Sequence, residues 1–299
     1  MRLTSRITHQ TIARQAISDM QRNLRGVEEK RSQLVSGRRL SRSSDDPVSV
    51  ARTLGFQNRL AEIKQHTRNS NQILARLNQT ESVLDGTNET LMQLKQLALQ
   101  YGSGTVSPRD RLNAVEQIQQ IKQQVIQFAN TKSGNQYIFA GSKTTTRPFE
   151  DEGDKVRYRG NNKEVSVEIG ENQTIPVNIP GTQVFNTSQT GIFQMLTDFT
   201  KALEQDNIEE IQEIVGRIEN FSETVLTGRA TNAARIQRVE FSREGHFDDE
   251  FNTIQSLSDI QGTDMARAAT ELVNQQTAYQ AALVSTARVI QPSLLSVLG

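Results

Sequence analysis

Both ends of the chain are written in the same repeat, and no other feature limits the fold as much. Near the start, Ala13, Ile17, Met20, Leu24, Val27, Arg31 and Leu34 are spaced alternately four and three residues apart. Near the end, Met265, Ala268, Leu272, Gln275, Tyr279, Ala282, Thr286 and Val289 step in the same way. Such spacing gathers side chains on one narrow helical face, the seam of a coiled coil. A helix with so narrow a stripe cannot bury itself and needs a partner. Arg31, Gln275, Thr286 and several alanines dilute the two seams. At roughly 25 cal/mol per Å², an isolated pair offsets little of the entropy of ordering. Neighbouring copies are therefore expected to supply the missing apolar surface, with Ala13, Ile17, Met20, Leu24, Val27, Leu34, Met265, Leu272, Tyr279, Ala282 and Val289 as the assembly interface.

Between the ends the period changes twice. Leu77, Leu84, Leu91 and Ala98, supported by Leu74 and Leu94, mark a long helix that stops near Gly102 and Gly104. Ser107 and Pro108 form a cap and first turn, and Leu112, Val115, Ile118, Val125 and Ala129 carry the next stripe. The short loop between these helices predicts an antiparallel hairpin. In "KVRYRGNNKEVSVEIGENQTIPVNIPG" Val156 and Tyr158, then Val165, Val167 and Ile169, then Ile175, Val177 and Ile179 alternate with other residues, the period of half-buried strands, with "GNN" and "GEN" as turns. Pro176 and Pro180 suit an edge strand. Helical period then returns in Leu196, Phe199 and Leu203, in Ile208 to Val225, and in a segment from Arg229 that carries Ile236, Phe251, Ile254 and Leu257. Phe185, Phe193, Phe199 and Phe221 lie on or beside these stripes and read as core.

The expectation is a mainly α fold with a small inserted β domain, built as an elongated antiparallel helical rod with terminal coiled-coil helices. Its segments are an inner coiled-coil segment at 1–45, the first half of a helical rod at 46–139, a β domain at 140–192, the second half of the rod at 193–258, and a second inner segment at 259–299.

Where the first segment meets the rod the sequence reads "LVSGRRLSRSSDDPVSVA". Gly37 stands where a helix ending at Ser36 places its left-handed terminal residue. Asp46 followed by Pro47 supplies a carboxylate cap and a ring preset for the first helical turn. Gly37, Arg38, Arg39, Arg42, Asp45, Asp46 and Pro47 thus form a joint between helices, whose arginines either meet carboxylates of a neighbouring helix or copy or face water; contacts of the arginines and aspartates to a neighbouring copy are the assembly hypothesis.

Charge and composition exclude other classes. The chain has 34 basic and 34 acidic side chains, so no overall field draws it to nucleic acid or an anionic membrane. The arginines of the joint run straight into acids, with no interleaved aromatic platform for bases. Neither terminus holds an apolar run able to cross a bilayer or act as a leader, so membrane insertion is not expected and any export would proceed without a cleaved signal. There is no cysteine. His9, His66 and His246 are scattered, and "HFDDE" at His246–Glu250 is best read as a solvated helical face rather than a metal site. No catalytic, cofactor-binding or metal-binding residues are expected. On the residues alone, a coiled-coil adaptor whose ends pair permanently within the cytosol remains an alternative to an assembling subunit.

The joint sequence and the C-terminal "DMARAATELVNQQTAYQAALVSTARVIQPSLLSVL" resemble the two ends of the flagellin-like family. That resemblance implies terminal helices that form the inner tube of an extracellular filament. The middle segment "FANTKSGNQYIFAGSKTTTRPF" is similar to the member at the junction between hook and filament rather than to the filament subunit. What it implies is a structural protein exported unfolded with the help of a chaperone. It would self-associate in a ring and contact the first hook-associated protein below and flagellin above.

Overall fold

The computed structural model describes residues 9–39, 46–153, 155–185 and 191–298. Among them run α1 (His9–Ser36), α2 (Pro47–Tyr101) and α3 (Pro108–Ala129), then β1 (Lys132–Ser133), β2 (Gln136–Tyr137), β3 (Phe149–Asp151), β4 (Val156–Tyr158), β5 (Ser166–Gly170) and β6 (Gln173–Pro176). The chain continues through α4 (Gly181–Phe185), α5 (Ile192–Glu204), α6 (Ile208–Gln261) and α7 (Met265–Leu298). The fold is mainly α with a small β region, as the periodicity predicts. Two compact units divide it: Met1–Ala61 with Glu250–Gly299, and Glu62–Asp249.

In the unit Glu62–Asp249, heptads set the inward faces of the two longest helices. On α2 the buried line is Ile63, Ser70, Leu77, Leu84, Leu91 and Ala98. On α6 it is Ile211, Ile218, Val225, Asn232 and Val239, and the same seven-residue step continues along the helix to His246 and Thr253. The α6 line therefore passes from apolar to polar along its length. Asn232 is held by its Nδ2, which donates to the Leu77 carbonyl at 3.0 Å and to Glu81 at 3.2 Å, since a buried donor left unpaired would cost about 1–3 kcal/mol. Arg229 adds ion pairs of 2.8 Å to Glu81 and to Asp85.

Helix α6 is continuous where the sequence suggests a break before Arg229. Gly228 causes no interruption, because helical glycine costs only about 1 kcal/mol and a packed helix supplies more than that. A second departure concerns phase. Phe251 and Ile254 were expected on the buried stripe, yet they are 65% and 49% exposed, and Thr253 is buried. The inward line keeps its seven-residue step through a polar residue, so the apolar side chains next to it turn outward.

On α3 the cap is as expected: Ser107 accepts from the Asp110 amide at 3.3 Å, and Pro108 opens the helix. The stripe above it begins with Arg111, 2% exposed, and leaves Leu112 53% exposed. The reason is local. Arg111 donates to the carbonyls of Tyr101 and Ser103 at 2.8 and 2.7 Å, satisfying the end of α2, and pairs with Asp206 in the α5–α6 turn.

The β region consists of three separate antiparallel hairpins, β1–β2, β3–β4 and β5–β6. "GEN" forms the β5–β6 turn, with Asn172 at φ 57°; "GNN" joins hairpins instead of closing one. Phe139, Phe149, Phe185 and Phe193 gather in the main core with centroid separations from 5.1 to 6.2 Å. Two asparagines tie the strands down. Asn130 accepts from the Phe149 amide at 3.0 Å and donates to its carbonyl at 2.9 Å. Asn178, 1% exposed, does likewise for Val165 N–H at 2.7 Å and Lys163 C=O at 3.1 Å.

The β5–β6 hairpin packs Ile169, Ile175 and Val177 on Ile73, Leu74 and Leu77 of α2 and Val239 of α6. His246 Nε2 lies 2.5 Å from the Ile169 carbonyl, and its ring stacks on His66 at 5.5 Å. His246 thus sits against the hairpin, while Phe247, Asp248 and Asp249 are exposed, so the solvated face expected for "HFDDE" holds for the middle of the segment and not for its histidine. Among the described residues no three His, Asp or Glu side chains converge as metal ligands, and no helix is long and apolar enough to cross a membrane.

Candidate assembly interface

In the unit Met1–Ala61 with Glu250–Gly299, α1 and α7 lie side by side. Their pairing is antiparallel. Thr286 Oγ1 reaches the Ala16 carbonyl at 3.5 Å, Lys30 pairs with Glu271 at 2.8 Å, and the Thr263 amide donates to Gly37 at 3.0 Å. Gly26 lets the helices approach, since a Cβ there would overlap the side chain of Gln275.

The seam on α7 turns toward α1 as its spacing implies. Ala268 and Thr286 are 4% and 6% exposed, and Leu272, Gln275, Tyr279 and Ala282 are half-buried; Met265, at the start, is exposed. On α1 the half-buried face runs through Ala16, Met20, Asn23, Gly26, Val27, Lys30 and Leu34, with Gln33 buried. Met20, Val27 and Leu34 share it, whereas Ile17 and Leu24 remain 38% and 37% exposed. The helix has rotated toward Gly26 and Gln33, where small and polar side chains permit closer contact. The side chains of Ala13 and Val289 lie outside the described residues.

Glu271 gives this pair its main charged contact. Lys30, and after it Arg267, hold its carboxyl below the ordinary value of 4.5.

At the joint the backbone does most of the work. Gly37 has φ 67°, the left-handed conformation expected of a helix-ending glycine. The next residues pair with the α6–α7 connection: Arg38 bridges Gly262, and the Arg39 amide donates to Gln261 at 2.7 Å. Gln33 Nε2 reaches the Arg39 carbonyl at 3.4 Å. Across the joint, Asp46 caps α2 by accepting from the Ser49 amide at 3.1 Å and hydroxyl at 2.6 Å. Those bonds, with a lesser pull from Arg39, lower its pKa. Pro47 follows as the first residue of α2. The side chains of Arg38 and Arg39 are exposed. Arg42 and Asp45 lie outside the described residues.

The segment "YIFAG" is a packing device. Phe139 and Ala140 are fully buried. Gly141, φ 68°, leaves no room for a Cβ against the Asn161 carbonyl. The Tyr158 hydroxyl stands 2.9 Å from the carbonyls of Phe139 and Asn161, and burial raises its pKa. Sequence reasoning found the motif by resemblance but missed its closure by Tyr158 and Asn161, which lie in the next hairpin and after it.

The chain thus combines a helix pair with a polar-edged seam, a glycine at the end of its first helix and a hairpin clip. Residues 7–144 match the bacterial flagellin N-terminal helical region. The chain is also 25% identical over 292 residues to flagellar hook-associated protein 3 of Escherichia coli K12, covering 87% of this chain and 92% of that relative. It is 25% identical over 273 residues to flagellar hook-associated protein 3 of Salmonella typhimurium LT2, covering 83% and 86%. The crystal structure of the flagellar junction protein FlgL from Legionella pneumophila shares the fold with a TM-score of 0.60 at 16% identity, covering 70% of this chain and 99% of that one. The relatives it matches along most of its length are structural components of the flagellum.

Proposed function

We propose that the chain is a structural subunit of the bacterial flagellum that joins the hook to the flagellin filament. Its contacts are the first hook-associated protein on one side and flagellin on the other, with copies of itself in a ring between them. It works outside the cell, reaching its place through the flagellar export apparatus with a chaperone, and carries no catalytic centre. Likeness to hook-associated protein 3 across nearly the whole chain, rather than over the helical ends alone, is the observation that carries this reading.

The terminal helices suit the task physically. The α1–α7 pair buries Ala268, Thr286 and Gln33 rather than a run of leucines, so a lone pair has little apolar burial to set against ordering. Copies packed around it add apolar contact for Ile17 and Leu24, and assembly completes the order of the ends. The joint residues Arg38, Arg39, Arg42, Asp45 and Asp46 make intersubunit contacts where the inner coiled segments, 1–45 and 259–299, meet the outer helical part.

The test is deletion of the gene in its own host. Cells lacking it retain hooks, shed flagellin into the medium and build no filament, and the wild-type gene restores filaments. Normal filaments in the deletion strain would overturn the reading.

A further inference from the structure

Two helix faces near the joint match each other but point away from their own neighbours. At 100° per residue, Phe247, Phe251 and Ile254 fall together on the side of α6 away from buried Thr253. They are 71%, 65% and 49% exposed. Exposed Glu244, Asp248 and Asp259 run along one edge of this ridge, and no lysine or arginine occurs between Glu244 and Ala266.

Helix α2 presents the converse. On the side away from buried Thr53 lie Ala51, Gly55 and Val48, edged by Arg52 and Arg59, all exposed. No acid occurs from Pro47 to Ala61. The space above Gly55 is open, with nothing within 4 Å of where a Cβ would stand. One helix thus offers bulky side chains edged by acids, and the other a shallow furrow of small residues edged by arginines.

We propose that the α6 ridge of one copy seats in the α2 furrow of a second copy, with Phe251 and Ile254 over Ala51 and Gly55 and the acidic edge against Arg52. A second copy is the occupant because both halves of the match are carried by this chain, in shape and in charge, on faces turned from the buried threonines. The surfaces differ, so the contact is heterologous: each copy added leaves one ridge and one furrow open. Repetition then gives a closed ring or a helical array. A single contact of three large side chains falls short of the ~1,000 Å² of a stable pair, so it is weak alone and gains strength from closure. The inference rests on the reading that copies of the chain assemble, and it names surfaces outside the terminal seams.

The chain has no cysteine, which permits a clean test. Full-length Gly55→Cys and Gln255→Cys proteins, each checked for helical content, are oxidised separately and as a mixture at high concentration. The mixture is expected to give disulfide dimer at about tenfold the yield of either alone, because a docked pair raises the effective concentration of the thiols. Adding Asp248→Arg to the Gln255→Cys protein lowers that yield, and adding Arg52→Asp to its partner restores it. No excess in the mixture, or a yield indifferent to the charge swap, overturns the proposal. Filament restoration by the parent chain is scored independently. Restored filaments without cross-linking defeat this contact alone; cross-linking without restoration supports it and defeats the junction reading.

Discussion

Arg111 and Asp206, 95 residues apart, meet as an ion pair that locks the α2–α3 loop to the turn between α5 and α6. The guanidinium is 2% exposed and also satisfies two carbonyls at the end of α2. Arg111→Ala leaves three acceptors without their donor. The expected loss is about 3 kcal/mol, the low end for a broken buried pair because Asp206 is 42% exposed. Urea unfolding of the variant reads it directly. Arg111→Lys recovers only part, since an ammonium cannot span all three acceptors in one plane.

Gly26 predicts a gain. Gly26→Ala adds helix propensity of about 1 kcal/mol but pushes against Gln275, a flexible side chain that can yield. The single variant is expected close to neutral. Gly26→Ala with Gln275→Ala removes the conflict and raises the thermal midpoint of the helical signal. A midpoint below wild type would show that Gln275 contributes more than the glycine costs.

Acid should loosen the α1–α7 pair. The Glu271 carboxyl has a pKa lowered in the folded state, first by Lys30. A lowered carboxyl adds stability that is present above its unfolded pKa and is lost as pH falls through the folded one. As pH falls below the ordinary carboxyl value of 4.5, wild type should therefore lose terminal helix stability faster than Glu271→Gln. Equal slopes in hydrogen exchange of residues 265–285 would remove Glu271 from the account.

The "YIFAG" clip can be opened at one position. Gly141→Ala combines left-handed backbone with a Cβ that meets the Asn161 carbonyl, a cost of about 3 kcal/mol or more from strain and displacement together. Limited proteolysis should then cut between β2 and α4 before it cuts α2 or α6. Tyr158→Phe removes only the hydroxyl and costs about 1 kcal/mol.

Periodicity revealed the helices because long amphipathic stripes dominate their sequences, and the buried phenylalanines were readable for the same reason. Its failures share one cause. It follows apolar residues, whereas Arg111, Asn232 and Thr253 hold inward positions through hydrogen bonds or register alone. Leu112, Phe251 and Ile254 were accordingly assigned inward and face out. On α1 the repeat identified the helix correctly but not its rotation, which depends on the small residue at Gly26. Local signals at the joint were legible, since Gly37, Asp46 and Pro47 act through their own backbone or cap. The pairing of Arg38 and Arg39 with Gln261 and Gly262 was not, because main-chain bonds between distant segments leave no mark in side-chain pattern.

That pairing has a consequence for how the joint can change over time. Its bonds run from amide to carbonyl, so they are indifferent to most side chains placed there. Given glycine at both Gly37 and Gly262, where a Cβ would meet the Ser258 carbonyl, the side chains at Arg38, Arg39 and Gln261 can drift widely. The surface beside this pairing can thus be rewritten to suit a new neighbour while its main-chain bonds stay as they are.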